Sequence, residues 1–230
     1  MLVYEYKSRI RFQQNLSYEK VTEKITYFVD SILGKEEKYL EFHKSTDYKG
    51  YVFDLPYPIE RDGIYKKDKI YTVRLRTVKQ DLAEYFSWKL PFHQIEEFRG
   101  VGGELRIIPQ KPLEQIYSVT PVLIKNDDGY WKGNLKLSEF EERLKANLIK
   151  KYRYFTEEVL DENFMLYDFI EFRNKKPIKI PYKGINLLGD KVSFHVASNA
   201  DAQKLAYLAL GVGIGENNSR GLGFMNYQYV

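Results

Sequence analysis

What most constrains this chain is an order of local patterns that occurs twice. Residues 2–12 alternate as a strand does, and Val21, Ile25, Phe28 and Ile32 then recur at helical spacing. Leu16 and Ser17 mark the start of that helix and Gly34 its end. Strands are expected over 51–57 and 69–78, parted by the turn at Arg61-Asp62-Gly63. A helix over 81–89 turns Leu82 and Phe86 inward, and after a break at Gly100, Gly102 and Gly103 a short strand covers 104–108.

The second pass has the same order. Residues 115–124 read as a strand, Asp127-Asp128-Gly129 as a turn, and Ser138 with Glu141 as a capping box opening a helix with Phe140, Leu144 and Leu148. Strands follow over 165–172, 178–186 and 192–196, the last two as a hairpin around Gly189-Asp190. Asn199 caps a helix carrying Leu205, Leu208 and Leu210 that stops at Gly211, and 224–230 supply the closing strand. Twice βαββαβ means an α+β chain of tandem ferredoxin-like domains, 1–111 and 112–230, joined near Pro112. No low-complexity linker parts them, so they pack together, and a basic cleft between them would suit RNA.

Composition closes off several classes. Apolar residues at 43% and charged ones at 30% describe an ordered globular protein rather than a disordered one. The absence of cysteine excludes disulfides and thiolate metal sites. No apolar run is long enough to span a bilayer, and the opening MLVYEYKSRIRF alternates like a strand rather than a signal peptide, so a cytoplasmic protein without membrane partners is expected. Net charge is only +4, so cations matter only where they cluster. The 20 Tyr and 14 Phe suit sheet cores first and stacking on unpaired bases second.

The most specific segment is the C-terminal glycine-rich loop, Gly213-Ile214-Gly215-Glu216-Asn217-Asn218-Ser219-Arg220-Gly221-Leu222-Gly223. Glycines permit positive φ and close backbone approach, exposed N–H groups could receive phosphate oxygens, and Arg220 adds a donor fork. It is neither a phosphate-binding P-loop, which would need Gly-Lys-Ser/Thr, nor a dinucleotide fingerprint, which lies between a strand and a helix.

Two Gly-hydrophobic-Gly units around five residues with a basic one among them resemble the signature of the repeat-associated (RAMP) superfamily. Placed at the chain end behind a doubled βαββαβ, the loop is similar to that of the pre-crRNA-processing endoribonucleases, the sixth CRISPR-associated family. The resemblance implies metal-independent cleavage of CRISPR repeat RNA, without a cofactor. In it, a 2′-OH attacks the adjoining phosphate, leaving a 2′,3′-cyclic phosphate and a 5′-OH. Such chemistry needs a base, an acid and a cation beside the phosphorane. The stretch Tyr39-Leu40-Glu41-Phe42-His43-Lys44-Ser45 resembles the family's catalytic-histidine region, implying His43 as the proton-transfer residue. Lys49, ahead of Tyr51-Val52-Phe53, fits the family's lysine, with Lys44 as rival, and Tyr27 matches the tyrosine the family often supplies from its first helix, so the resemblance implies Lys49 and Tyr27 as catalytic partners of His43. His93 reads as a solvated or capping residue and His195 as a satisfied sheet residue, and with no cysteine the histidines make no metal site.

Lys7, Arg9 and Arg11 share a strand face, Lys66, Lys67 and Lys69 cluster at a turn ahead of Arg74 and Arg76, and Lys150, Lys151 and Arg153 end a helix. The densest run is Arg173, Lys175, Lys176, Lys179 and Lys183. In the family the hairpin there lies near the RNA stem, which makes these five the implied phosphate contacts, with Gly213, Gly215, Arg220, Gly221 and Gly223 in the loop. The resemblance also leaves room for other subunits of a CRISPR interference complex as partners. Two other readings stand beside it: a non-catalytic RNA-binding subunit of such a complex, and a ferredoxin-like protein-interaction module.

Overall fold

In the computed structural model the N-terminal alternation becomes strand β1 (Val3–Phe12). Described are residues 1–230 apart from Thr46, Asp127, Asp128, Lys183 and Gly184, together with the side chains of all but His43 and Tyr182. The short strand β2 (Leu16–Ser17) leads into α1 (Tyr18–Leu33), whose Val21, Ile25, Phe28 and Ile32 are all buried. A second helix, α2 (Glu37–Lys44), then precedes β3 (Tyr51–Phe53), β4 (Ile64–Tyr65), β5 (Ile70–Thr77), α3 (Gln80–Lys89) and β6 (Phe98–Ile108). The sheet order is β3-β5-β1-β6, antiparallel throughout. Even-numbered Tyr6, Ile10 and Phe12 of β1 join the core under α1 and α3, because alternate side chains of a strand face opposite ways. Lys7, Arg9 and Arg11 therefore lie on the other, open face.

The second half runs β7 (Leu113–Ser118), α4 (Leu137–Thr156), β8 (Tyr167–Phe172), β9 (Ile178–Tyr182), β10 (Ile185–Gly189), β11 (Val192–Val196), α5 (Ala200–Val212) and β12 (Met225–Tyr229). Its four-stranded sheet, β12-β7-β11-β8, is the same permutation as the first, so both halves are ferredoxin-like.

The structure departs from the sequence reading at several places, the unexpected helix α2 over the His43 stretch among them. Residues 192–196 do not pair with 178–186: β9 and β10 form their own hairpin, while β11 lies between β7 and β8. The hairpin belongs to neither four-stranded sheet. Gly100, Gly102 and Gly103 lie inside β6, not before it, and a Cβ on Gly103 would come within 2.2 Å of the Tyr6 hydroxyl. The first strand of the second half stops at Ser118, short of residue 124. Helix α4 starts one residue earlier than its expected cap, with the Glu139 carboxylate accepting the Lys136 N–H at 2.7 Å. The expected turn at Asp127-Asp128 lies outside the described residues.

The halves are welded through the open face of the first sheet. The Tyr207 hydroxyl of α5 donates to the Ile108 carbonyl at 2.6 Å and accepts the Val3 N–H at 3.1 Å. Arg76, 1% exposed, donates to Glu5 Oε2 at 2.7 Å and to the Met225 carbonyl at 2.5 Å, with its guanidinium 4.3 Å above the Phe224 ring. Arg106 holds the other Glu5 oxygen at 2.6 Å. Arg76 is thus an interior brace and not part of a solvent-facing RNA surface.

Candidate functional site

Helix α5 ends on Gly213, and the loop folds back on itself before β12. Its four flanking glycines have φ between +66° and +79°, which side-chain-bearing residues rarely adopt. Their neighbours are protein. A Cβ on Gly215 would meet the Leu123 carbonyl at 2.5 Å, and one on Gly221 the Phe53 ring at 2.6 Å. Gly213 and Gly223 close on the Asn218 side chain. The glycines serve internal packing, and the polar residues 216–220 between them are half-buried.

Underneath lies a residue that sequence reasoning misassigned. Lys151 is 3% exposed, and its ammonium donates to the carbonyls of Gly213 (3.0 Å) and Gly215 (2.7 Å) and to Asn218 Oδ1 (2.7 Å). The Asn218 amide donates in turn to the carbonyls of Ile214 and Leu222. Burial pulls the ammonium down to about 7, and Glu216 opposes that shift. Three oxygen acceptors call for three N–H donors, which only the charged form supplies. The signal was in the sequence: Lys151 continues the Phe140–Leu144–Leu148 stripe at helical spacing, so it faces the core and not the solvent.

Opposite the loop stands the segment that follows α2. Lys49 Nζ donates to the carbonyls of Phe42 (2.5 Å) and Ser45 (2.6 Å), and to Ser45 Oγ at 3.3 Å. Those carbonyls end the helix that carries His43, so Lys49 braces its last turn, where cations also complement the helix dipole. Burial lowers the Lys49 pKa; Asp47 opposes it, and Arg220 and Lys79 add to it. His43 is placed by its backbone within α2, and its side chain lies outside the described residues. Between the two walls is a polar cavity of about 270 Å³, lined by residues 47–51 and 215–219 with Lys125, Asn147 and Lys151 among the rest. Arg220 ion-pairs with Asp30 of α1, joining the loop to the first domain. Tyr27 is 59% exposed on α1, off the apolar stripe, and does not line this cavity.

The other expected cations distribute unevenly. Arg173, Lys175, Lys176 and Lys179 are exposed around the hairpin, with Arg173 stacked 5.3 Å from the Tyr117 ring, while Lys183 lies outside the described residues. Lys66 and Lys69 ion-pair with Asp62 and Glu60. His195 is exposed on β11, 3.4 Å from the Gln115 amide. His93 is not solvated but 7% exposed; it caps the 3-10 turn Leu90–Phe92, its N–H donating to the Leu90 carbonyl at 3.2 Å, with Nε2 2.6 Å from Ser31 Oγ and Nδ1 3.3 Å from Lys35 Nζ. Ser31 already gives its proton to the Phe28 carbonyl, so His93 Nε2–H must donate and Nδ1 accept. Burial and Lys35 hold its pKa down at about 4. No helix among the described residues is long and apolar enough to cross a membrane.

Two ferredoxin-like units closed by an arginine-bearing glycine loop define a RAMP architecture. The chain belongs to the CRISPR-associated Cas6 family: the model for the C-terminal part of "CRISPR associated protein Cas6" matches residues 109–227. A curated relative, the "CRISPR-associated endoribonuclease Cas6 2" of Methanocaldococcus jannaschii, is 23% identical over 233 residues, covering 93% of this chain and 95% of that protein. A solved structure described as "CRISPR associated protein Cas6" aligns with a TM-score of 0.72 at 21% identity, over 98% of this chain and 99% of the other. Another, described as a RAMP protein binding different RNA substrates, aligns with a TM-score of 0.72 at 18% identity, over 99% and 100%.

Proposed function

We propose that this chain is an endoribonuclease that cuts CRISPR repeat RNA into guide RNAs. The observation that carries the reading is the inter-domain cavity with the RAMP loop on one side and, on the other, the segment 47–51 that follows the His43 helix and braces its end through Lys49. His43 would take the proton of the attacking 2′-OH or give one to the leaving 5′-oxygen, chemistry that suits an imidazole near neutral pH. Lys49 adds positive charge at the cavity wall, and its three donors are spent on α2, so it acts by holding His43 in place as well as by its field. The products are a 2′,3′-cyclic phosphate and a 5′-OH, with no metal or other cofactor taking part. Tyr27, exposed on α1, would serve as the auxiliary catalytic residue that the family resemblance implies.

The substrate's stem would be held by Arg173, Lys175, Lys176 and Lys179, which read shape and phosphate rather than sequence. The loop glycines 213, 215, 221 and 223 contribute by fixing the loop's shape, and Arg220 by tying it to α1. Domains 1–111 and 112–230 divide the work: the first supplies the reacting histidine, the second the loop and hairpin. Single-turnover cleavage of repeat RNA in excess EDTA, with end analysis, tests the reading. His43→Ala should slow cleavage by about 10²–10⁴ at nearly unchanged RNA affinity. Unslowed cleavage by that variant, or a 3′-OH product, would overturn the mechanism.

A further inference from the structure

Strand β6 is the outer strand of the first sheet, and its far edge is covered only at the start. There the turn after α3 closes on it. The Gly100 N–H donates to the His93 carbonyl at 2.8 Å, the Ile95 N–H donates to the Phe98 carbonyl at 3.0 Å, and Gln94 pairs with Arg99. Further along, residues 103–107 are all exposed, until Ile108 is buried again and Pro109 follows the strand. An open strand edge offers a row of backbone N–H and C=O groups to another strand, and natural edges are ordinarily shielded from such pairing. Here the shield stops short.

The side chains along this edge match a reversed copy of themselves. Register with β1 sets Leu105 beside Tyr6 and Ile107 beside Tyr4, on the face that carries α3. Both are apolar and exposed, at 36% and 47%. The Tyr4 hydroxyl donates to Gln80 Oε1 at 3.1 Å, so the Gln80–Glu84–Trp88 row of α3 runs above this side of the sheet, and Trp88 is exposed too. Glu104 and Arg106 lie on the opposite face, beside Lys7 and Glu5. If two such strands run antiparallel with Leu105 facing its own counterpart, Glu104 of each falls opposite Arg106 of the other. Ile107 then falls opposite Gly103, which has no side chain to crowd it. A shift of one residue either way sets Glu104 against Leu105 or Ile107 instead. The charge match and the exposed run 103–107 thus share one centre, Leu105.

We propose that the β6 edge docks a second copy of this chain, the two strands pairing about a two-fold axis at Leu105 and joining two four-stranded sheets into one. The occupant is a second copy because the complementarity is to itself, which is what an isologous contact requires. On one face two Glu104–Arg106 pairs flank the axis; on the other, Leu105 and Ile107 of both copies are covered by each other and by the flanks of the two α3 helices. No residue of β6 lines the cavity between the domains, so this pairing leaves that cavity open.

Sedimentation velocity over a concentration series, with no RNA present, reads the association. The parent should sediment as a dimer that dissociates on dilution. Leu105→Lys sets two ammonium groups face to face on the axis and should weaken the dimer about tenfold or more, with the melt unchanged. Cysteine variants read the register, because the chain has no cysteine of its own. Under mild oxidation Leu105→Cys should link two copies, since residues directly opposite in an antiparallel pair have Cα atoms about 4.5–5.5 Å apart, within disulfide range. Ile107→Cys should not link, because its two copies would stand four residues apart along the strands, roughly 14 Å. A parent that stays monomeric throughout, a dimer untouched by a folded Leu105→Lys, or linkage by Ile107→Cys as ready as by Leu105→Cys would overturn the proposal. Should Leu105→Lys fail to fold, the two cysteine variants decide by themselves.

Discussion

Replacing Glu5 by Gln tests whether the two domains are held as one unit by the buried brace. Glu5 is fully buried. Burial acts to raise its carboxyl, yet Arg76 and Arg106 more than offset this and hold it below the ordinary value. Arg76 stays charged despite its own burial, since arginine does not deprotonate in proteins. Glu5→Gln keeps shape and volume but leaves a guanidinium, 1% exposed, without its counter-charge. Breaking one side of a buried pair costs about 3–5 kcal/mol. In a chain of this size 1 kcal/mol moves Tm by about 2–4 °C, so the melt should fall by roughly 6–20 °C. Removing both charges, in Glu5→Leu with Arg76→Met, should cost less than Glu5→Gln, although the Met225 carbonyl then loses a donor worth about 1–3 kcal/mol. Urea unfolding of the three proteins measures the order. A Glu5→Gln variant within about 1 kcal/mol of the parent, or a double variant worse than it, would refute the account.

Stability should also fall with acid through His93: its folded pKa of about 4 lies below the ordinary 6.5, so the unfolded chain binds more protons between those values. The loss, at most about 3 kcal/mol, is complete only below pH 4, and a His93→Gln variant should lack that part of the pH slope in denaturant melts. Gly221→Ala should destabilise by about 2 kcal/mol or more, combining positive-φ strain with collision against Phe53; a parent-like Tm would show that the loop can move aside. Lys151→Met should leave α4 folded but slow single-turnover cleavage about tenfold or more with RNA affinity little changed, because the loop loses the donors that shape it; equal loss in both would point to general unfolding instead. If Arg220 serves chiefly to tie the loop to α1, Asp30→Asn should reproduce the RNA-binding defect of Arg220→Ala, whereas a phosphate contact would lower the log–log salt slope by about one unit in the arginine variant alone.

Periodicity carried most of the architecture into view, because it reports which face of each element is buried. The apolar stripe of α1 and the alternation of β1 sit where their spacing puts them. What it did not carry was pairing. The strands at 178–186 and 192–196 are adjacent in sequence, but only the structure shows that the first doubles back on itself and the second goes to the sheet centre. Nor did residue type reveal roles: Lys151 and Arg76 look like surface cations until their positions on buried faces are counted. The glycine loop was visible as a motif, but its glycines could not be sorted between ligand approach and internal packing without the neighbours Phe53 and Leu123.

The hairpin β9–β10 carries a further consequence. It lends no strand to either sheet and is fastened at its foot by one carboxylate: Asp190, fully buried, accepts from Tyr130, Trp131, Lys132 and Asn174. Above that fastening Ile180 and Leu187 pack against Leu123 and Leu222 in a small cluster apart from the two cores, and the exposed positions take no part in either core. The outer positions of the hairpin can therefore be rewritten, lengthened or recharged while the foot and both domains stay as they are. A protein built this way can follow a changing RNA partner by altering one exchangeable arm, and the cutting chemistry need not be reinvented each time.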